Sequence, residues 1–209
     1  MNKKKEKMTR VKRHEDEKSR RSLVSYFIVF ILTVGLVYIY ARYIGTRGFK
    51  VREYNIVNES IPASFDGFSI VQFSDLELGS TFFVSDLEKL VESINEANPD
   101  IVVFTGDIVS NSYKLSDKEK QDTIKALSKI DPLIGKYSVR GDDDVYSGVY
   151  EEIMGDAGFK DLSNGYELIY YKGLTPIVLY GLDSLRAGLQ DYTTTFSYPS
   201  PEEDTTYMA

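Results

Sequence analysis

The chain has 209 residues with no cysteine, no tryptophan and a single histidine, His14. Disulfides, thiolate metal sites and Ser-His-Asp or cysteine-based catalysis are therefore excluded. The formal net charge is −7, but residues 1–21 carry ten Lys/Arg against four Asp/Glu, which leaves −13 for the rest of the chain. An acidic body lacks the clustered Lys/Arg that phosphate contacts require, so nucleic acid is not expected as a partner.

The first 43 residues predict a membrane anchor. Residues 1–21 are basic and polar, and they predict a cytoplasmic arm that either contacts anionic lipid headgroups or is merely solvated. Residues 23–41 are apolar and uncharged, and about 20 such residues cross a bilayer. No small-residue cleavage site follows, which argues against a signal peptide. We assign a transmembrane helix to residues 22–43, in a single-pass cell-membrane protein with a cytoplasmic N-terminus and an extracytoplasmic domain; a buried soluble helix is the alternative.

Three short apolar runs, 70–73, 101–104 and 137–139, are each followed by acidic residues. Stretches able to form helices separate the runs, which predicts parallel strands in an α/β fold. Parallel strands bring their carboxyl ends to one edge of the sheet, where open α/β sheets bind ligands. The side chains expected to converge there are Asp75, Glu77, Asp107, Asp142, Asp143 and Asp144.

Capping signals predict the helices between these strands. Ser85 with Glu88, and Ser116 with Glu119, each have the spacing of a capping box, and apolar residues follow both at helical intervals. A third, shorter helix is predicted around residues 150–154, ending at Gly155.

Alternating or short apolar segments predict further strands outside the three runs. Residues 49–56 predict an edge strand that leads into the domain, and residues 166–171 and 175–181 predict an antiparallel hairpin. Residues 186–209 are rich in Ser, Thr, Tyr and Pro and predict an irregular tail, although Thr206 could begin another strand.

Acidic side chains gathered at one edge need an explanation. Two like charges about 4 Å apart repel by about 4 kcal/mol at an effective dielectric of 20, while whole domains are stable by only about 5–15 kcal/mol. The carboxylates must therefore splay into water, take up protons or bind a cation. Divalent metal ions over a phosphate-bearing ligand are the common use of such clusters, and solvated loop acids are the alternative.

The three blocks 67–79, 98–107 and 136–144 together resemble the calcineurin-like metallophosphoesterases, especially their membrane-anchored bacterial branch. The likeness runs from about Tyr54 to Asp183. It implies a two-sheet α/β sandwich, of which residues 44–185 would supply little more than the first half, after the N-terminal transmembrane helix.

The resemblance also implies a ligand set. The family's first block is Asp-x-His, here Asp75 and Glu77, and its second is Gly-Asp, here Asp107 as the ligand that bridges two metals. The family's third block is Gly-Asn-His, in which the Asn binds a metal and the His assists catalysis. In this chain aspartates stand at both positions, and the resemblance implies Asp142 as the metal ligand and Asp143 as the catalytic residue. Because carboxylates replace imidazoles, the implied cofactor is Mg²⁺ or Mn²⁺.

These departures lead to three functional hypotheses. The family uses further histidines from later strands, and this chain has none, so the first hypothesis is a phosphoester hydrolase homologue that is impaired or inactive. The second is an active phosphoesterase whose carboxylate site is completed by another chain or by further C-terminal sequence. The third is a haloacid-dehalogenase-like phosphatase with Asp75 as nucleophile. The expected partners are the lipid bilayer, a phosphoester substrate and a partner chain at an exposed sheet edge.

Overall fold

The computed structural model describes residues 24–41, 48–80, 82–197 and 206–208. The chain divides into two units, residues 1–47 and residues 48–209. The basic arm predicted for residues 1–21, and the end of the predicted span at residues 42–43, lie outside the described residues.

In the described part of the first unit, residues 24–41, the chain forms a helix, α1 (Val24–Ala41), which is long and apolar enough to cross a membrane. Its 18 residues have a mean hydropathy of 2.2 and rise by about 27 Å, close to the roughly 30 Å of a hydrocarbon core. Its large apolar side chains are exposed, and the Thr33 hydroxyl donates a hydrogen bond to the Val29 carbonyl 2.9 Å away. Since this polar atom is satisfied within the helix, α1 suits an apolar surrounding.

A four-stranded parallel sheet forms the centre of the second unit. Its strands are β1 (Ile70–Phe73), β2 (Ile101–Phe104), β3 (Gly135–Ser138) and β4 (Lys160–Asp161), in the order β1-β2-β3-β4. Ile70 pairs with Ile101, and Ile101 with Gly135, so the first three strands end in register. The sequence prediction of parallel strands is confirmed.

Helices cover one face of this sheet. They are α2 (Leu87–Glu96), α3 (Asp117–Leu127) and α5 (Tyr150–Asp156), while α4 (Asp144–Ser147) is a single turn after β3. One hydrophobic cluster joins this layer to the sheet through Leu87, Leu90, Ile94, Leu127, Tyr150, Ile153, Phe73, Val102 and Phe104.

A second sheet covers the other face. It contains β5 (Gly165–Ile169), β6 (Ile177–Gly181) and β7 (Thr206–Met208), with β5 antiparallel and β7 parallel to β6. The predicted hairpin and the predicted strand at Thr206 are therefore confirmed. A 3₁₀ turn (Ala63–Phe65) precedes β1, and α6 (Tyr192–Thr195) follows β6.

The two sheets pack face to face through a second cluster. Ile101 and Tyr137 from the first sheet meet Ile169 and Ile177 from the second. Along β2, Ile101 and Val103 belong to this inter-sheet cluster, whereas Val102 and Phe104 belong to the helix-facing one. Both faces of β2 are buried, which explains why its sequence is continuously apolar.

Two local predictions were wrong. A 3₁₀ turn (Val84–Asp86) precedes α2, and the Phe83 N–H donates to the Asp86 carboxylate at 3.1 Å, so Asp86 and not Glu88 closes the start of this segment. Residues 48–57 form no strand within the described chain. The second capping box is confirmed, since the Ser116 N–H donates to Glu119 at 2.9 Å and the Glu119 N–H donates to the Ser116 hydroxyl at 3.3 Å.

Lys136 on β3 supports the ends of two helices. Its ammonium donates to the carbonyl of Ala157 at 2.7 Å and to that of Ser128 at 3.4 Å, the residues that follow α5 and α3. It also lies 5.3 Å from the centre of the Phe159 ring. Burial lowers the pKa of Lys136, while the charge of Asp131 opposes that shift. The charge is held where helix C-termini favour a cation.

Replacing Lys136 by Met should lower the free energy of unfolding by about 1–2 kcal/mol, because two carbonyls lose a charged donor. Urea unfolding of the full chain in detergent micelles, followed by circular dichroism, measures this. Lys89→Met on exposed α2 is the matched control and should change stability by less than about 0.5 kcal/mol. Equal effects of the two substitutions would contradict the assigned role.

Candidate functional site

The acidic residues singled out in the sequence follow the carboxyl ends of β1, β2 and β3. Because these strands are adjacent and in register, the loops after them meet at one edge of the sheet. The Asp75 N–H donates to the Gly106 carbonyl at 2.9 Å, and the Glu77 N–H donates to the Asp107 carbonyl at 3.0 Å. The first two loops are thus joined through their backbones.

The loops after β2 and β3 approach still more closely. A Cβ added to Gly106 would overlap the backbone of Gly141, and one added to Gly141 would overlap the Asp107 carboxylate and backbone. Gly106 also has a left-handed φ of 96°. Glycine is therefore required at both positions, which fits the Gly-Asp pairs seen in the sequence.

Asp144 fastens these two loops together. Its carboxylate accepts hydrogen bonds from three backbone N–H groups, those of Asp107 (2.7 Å), Ile108 (2.9 Å) and Gly141 (2.9 Å). The side chain is 1% exposed. Burial raises the pKa of Asp144, the three N–H donors oppose that shift, and the charge of Asp107 adds to it. This carboxylate is a structural member of the site, not an open ligand.

Asp107 lies at the centre of the acidic group. Burial is the largest cause that raises the pKa of its carboxyl, and repulsion from Asp143, Asp75 and Asp142 raises it further. The N–H of Asp143, 2.9 Å from Oδ1 of Asp107, opposes this shift. The mutual repulsion means that these four carboxylates lie near one another, as the strand order predicts.

The two aspartates after β3, Asp142 and Asp143, accept hydrogen bonds from other parts of the protein. Asp143 accepts from the backbone N–H and the side-chain amide of Asn111, both at 3.1 Å. Asp142 accepts from the hydroxyl of Ser184 and from the N–H of Arg186, the latter at 3.2 Å. No sequence pattern predicts these partners, which come from separate loops.

The first block contributes an exposed Asp75 and a half-buried Glu77. The Ser74 hydroxyl donates to the Asp75 carboxylate. The carboxylate of Glu77 makes no hydrogen bond or ion pair within the described chain. Its backbone, with Asp75 and Asp107, adopts the left-handed region, at φ values of 46°, 53° and 62°. Non-glycine residues seldom adopt this region, and those that do cluster at ligand sites.

Arg140 connects the third loop to the second sheet. Its guanidinium donates to both carboxylate oxygens of Asp183, which follows β6, and to Glu151 at 3.2 Å. The hydrogen bond to Asp183 is the largest cause that raises the pKa of Arg140. Because Asp183 is buried, this pair fixes the end of β3 beside the end of β6.

The described residues contain no group of three or more His, Cys, Asp or Glu side chains arranged to hold a metal ion. The oxygen donors suit Mg²⁺ or Mn²⁺ in kind. However, Asp142, Asp143 and Asp144 already accept hydrogen bonds from N–H or hydroxyl groups. In this arrangement the described residues show no site for the metal pair implied by the resemblance.

Comparisons with known proteins agree with the resemblance. The profile of the family described as calcineurin-like phosphoesterase matches residues 68–204. The uncharacterized metallophosphoesterase YkuE of Bacillus subtilis is 37% identical over 169 residues, which cover 79% of this chain and 58% of that protein. A transmembrane protein with metallophosphoesterase domain from Danio rerio is 30% identical over 148 residues, covering 68% of this chain.

The chain spans only part of the length of these relatives, 58% of the Bacillus protein and 33% of the fish protein. Among solved structures, TT1561 of Thermus thermophilus aligns with 56% of this chain and 49% of its own, at 14% identity and a TM-score of 0.38.

Replacing Asp144 by Ala should lower the free energy of unfolding by about 3 kcal/mol or more, because three buried N–H groups lose their acceptor at about 1–3 kcal/mol each. Urea unfolding of the full chain in micelles tests this. Asp156→Ala, on the exposed end of α5, should stay within about 0.5 kcal/mol of the parent. A loss below about 1 kcal/mol for Asp144→Ala would show that the loops are held by other contacts.

Asp107→Asn should stabilise the metal-free chain at pH 7. A raised pKa means that the folded state binds more protons than the unfolded state, so stability falls as pH rises above the ordinary aspartate pKa. Asparagine keeps an acceptor for the Asp143 N–H and removes the charge. We expect the substitution to raise the free energy of unfolding by up to about 1 kcal/mol, a figure already discounted for solvent screening. The increase should disappear below about pH 4. Urea midpoints across pH with a chelator present measure it, and a loss at pH 7 would contradict it.

Proposed function

The chain belongs to the calcineurin-like phosphoesterase family, and we propose that it is a membrane-anchored member that hydrolyses phosphoesters poorly or not at all. One observation carries the proposal: the carboxylates at the family's asparagine and histidine positions, Asp142 and Asp143, are hydrogen-bonded to the protein's own donors. The domain then serves binding or interaction.

The chemistry of Asp143 supports the same proposal. A general acid works best when its pKa lies near the working pH, and an ordinary aspartate is ionised well below neutrality. In this structure the Asp143 carboxylate accepts hydrogen bonds from two N–H donors of Asn111. The family has an imidazole at this position, whose ordinary pKa lies near neutrality, and in this chain the position is an aspartate.

A specific observation favours a second candidate function, an active phosphoesterase with a carboxylate-rich Mg²⁺ or Mn²⁺ site. Asp75, Asp142 and Asp143 raise the pKa of Asp107 by repulsion, and a divalent cation would relieve that repulsion. In this candidate, Asp75, Glu77, Asp107 and Asp142 hold the metal after reorienting, with another chain or further sequence completing the site. Hydrolysis by metal-activated water would then be the chemistry that the ion supplies.

We propose further that the N-terminus is cytoplasmic and that the domain lies outside. The excess of Lys/Arg in residues 1–21, directly before α1, supports this orientation. A phosphoester ligand at the carboxylate edge and a partner chain at the outer edge of β5 or β7 are the interactions proposed for the domain.

An aryl phosphate assay with the full chain in micelles, with Mg²⁺ or Mn²⁺ added in turn, tests the main proposal. We expect the rate to equal that of the Asp107→Asn variant, because the parent has no functional site to lose. Release of Mn²⁺ on dialysis, followed by electron paramagnetic resonance, tests metal binding without relying on turnover.

A metal-dependent rate that Asp107→Asn lowers by about 10²-fold or more would favour the active enzyme. Asp156→Asn, remote from the site on α5, is the control and should leave any rate unchanged. The haloacid-dehalogenase-like hypothesis stays a prediction, and a trapped aspartyl-phosphate on Asp75 would support it.

A further inference from the structure

The segment of residues 48–57, which we call the juxtamembrane segment, forms no helix or strand, and all of its residues are exposed. It forms no hydrogen bond, ion pair or ring contact with the described parts of the chain. Five of its ten residues have large apolar side chains, which are exposed by 43% to 88%: Phe49, Val51, Tyr54, Ile56 and Val57. Clustered exposure of this kind marks an interaction surface.

Charge distinguishes this segment from the domain that follows it. Lys50 and Arg52 lie between the apolar residues, and Glu53 is the only acidic residue in the segment. Residues 58–209, in contrast, carry 11 Lys/Arg against 27 Asp/Glu, a net of −16. An anionic surface would therefore repel the domain and attract this segment.

The segment follows the membrane helix closely in the chain. Six residues of sequence separate the end of α1 at Ala41 from Gly48. Aromatic and basic side chains next to a membrane helix are typical of the headgroup region.

We propose that the juxtamembrane segment lies in the headgroup layer of the bilayer that α1 spans. Phe49, Val51, Tyr54, Ile56 and Val57 enter the boundary with the acyl chains, and Lys50 and Arg52 contact lipid phosphates. The unpaired backbone restricts the depth, because peptide groups without partners are tolerated among hydrated headgroups but not in the hydrocarbon core. The segment thus counteracts the repulsion between an acidic domain and anionic lipid.

The alternative interaction for this exposed segment is pairing with the same segment of a second chain. Lys50 and Arg52 disfavour it, since charged side chains on an exposed strand oppose association between strands, and like charges would face each other. The lipid surface satisfies both the charge and the apolar side chains.

Single-cysteine labelling of the full chain tests the proposal, because the sequence contains no other cysteine. Asn55→Cys keeps every apolar and basic residue of the segment, and Gln121→Cys on exposed α3 is the matched control. An environment-sensitive fluorophore is attached at each position, and the chain is reconstituted into phosphatidylcholine vesicles with or without phosphatidylglycerol. The two positions lie on the same side of the membrane helix in the chain, so inserted chains expose both labels to the same side of the vesicle. The ratio of iodide quenching at position 55 to that at position 121 is therefore independent of the direction of insertion.

We expect iodide to quench the label at position 55 at least about twofold less than the label at 121, and shallow lipid-borne nitroxides to quench it more than deep ones. Adding phosphatidylglycerol should increase the difference, and Lys50→Glu with Arg52→Glu should abolish that increase. Equal iodide quenching at the two positions in both lipids would overturn the proposal. So would protection of position 55 that disappears when the lipid-to-protein ratio is raised, which indicates pairing between copies.

Discussion

The buried carboxylate of Asp144 is the constraint on which the rest of the domain's functional edge depends. It accepts N–H groups from the loop after β2 and from the loop after β3, so that two chain reversals are held as one rigid unit. A buried anion is tolerated only when its oxygens are satisfied, and here three backbone donors satisfy it. The close approach of Gly106 and Gly141 follows from this arrangement.

The neighbouring acids extend the same principle in weaker form. Asn111 donates hydrogen bonds to the Asp143 carboxylate, and Ser184 and Arg186 donate to that of Asp142. Donors from loops distant in sequence thus bind the two carboxylates. Arg140 and Asp183 then attach the unit to the second sheet. The edge is better described as a network of hydrogen-bonded carboxylates than as a set of free ligands.

Sequence reasoning found the strands and the position of the acids, because buried parallel strands are continuously apolar and end together. It misplaced the start of α2, since Asp86 and Glu88 each lie three residues after a residue that can begin the segment, Phe83 and Ser85. Only the hydrogen bond from the Phe83 N–H to Asp86 distinguishes the two. It also predicted a strand at 49–56, although a strand needs a neighbour and local alternation supplies none. The role of Asp144 could not be predicted, because its partners are backbone N–H groups up to 37 residues away. The run of three aspartates was the only available hint.

The order of the first sheet has a consequence for how the protein is made. Each strand from β2 to β4 pairs with the one just before it, so within this sheet no later strand has to insert between two that are already paired. As the polypeptide leaves the ribosome, the sheet can grow in one direction, each new strand adding to a finished edge while its preceding helix covers the face. The acidic loops are completed in the same sequence, and Asp144 emerges only after both loops that it joins. The carboxylate that joins the loops after β2 and β3 is therefore synthesised after the backbone donors that it binds.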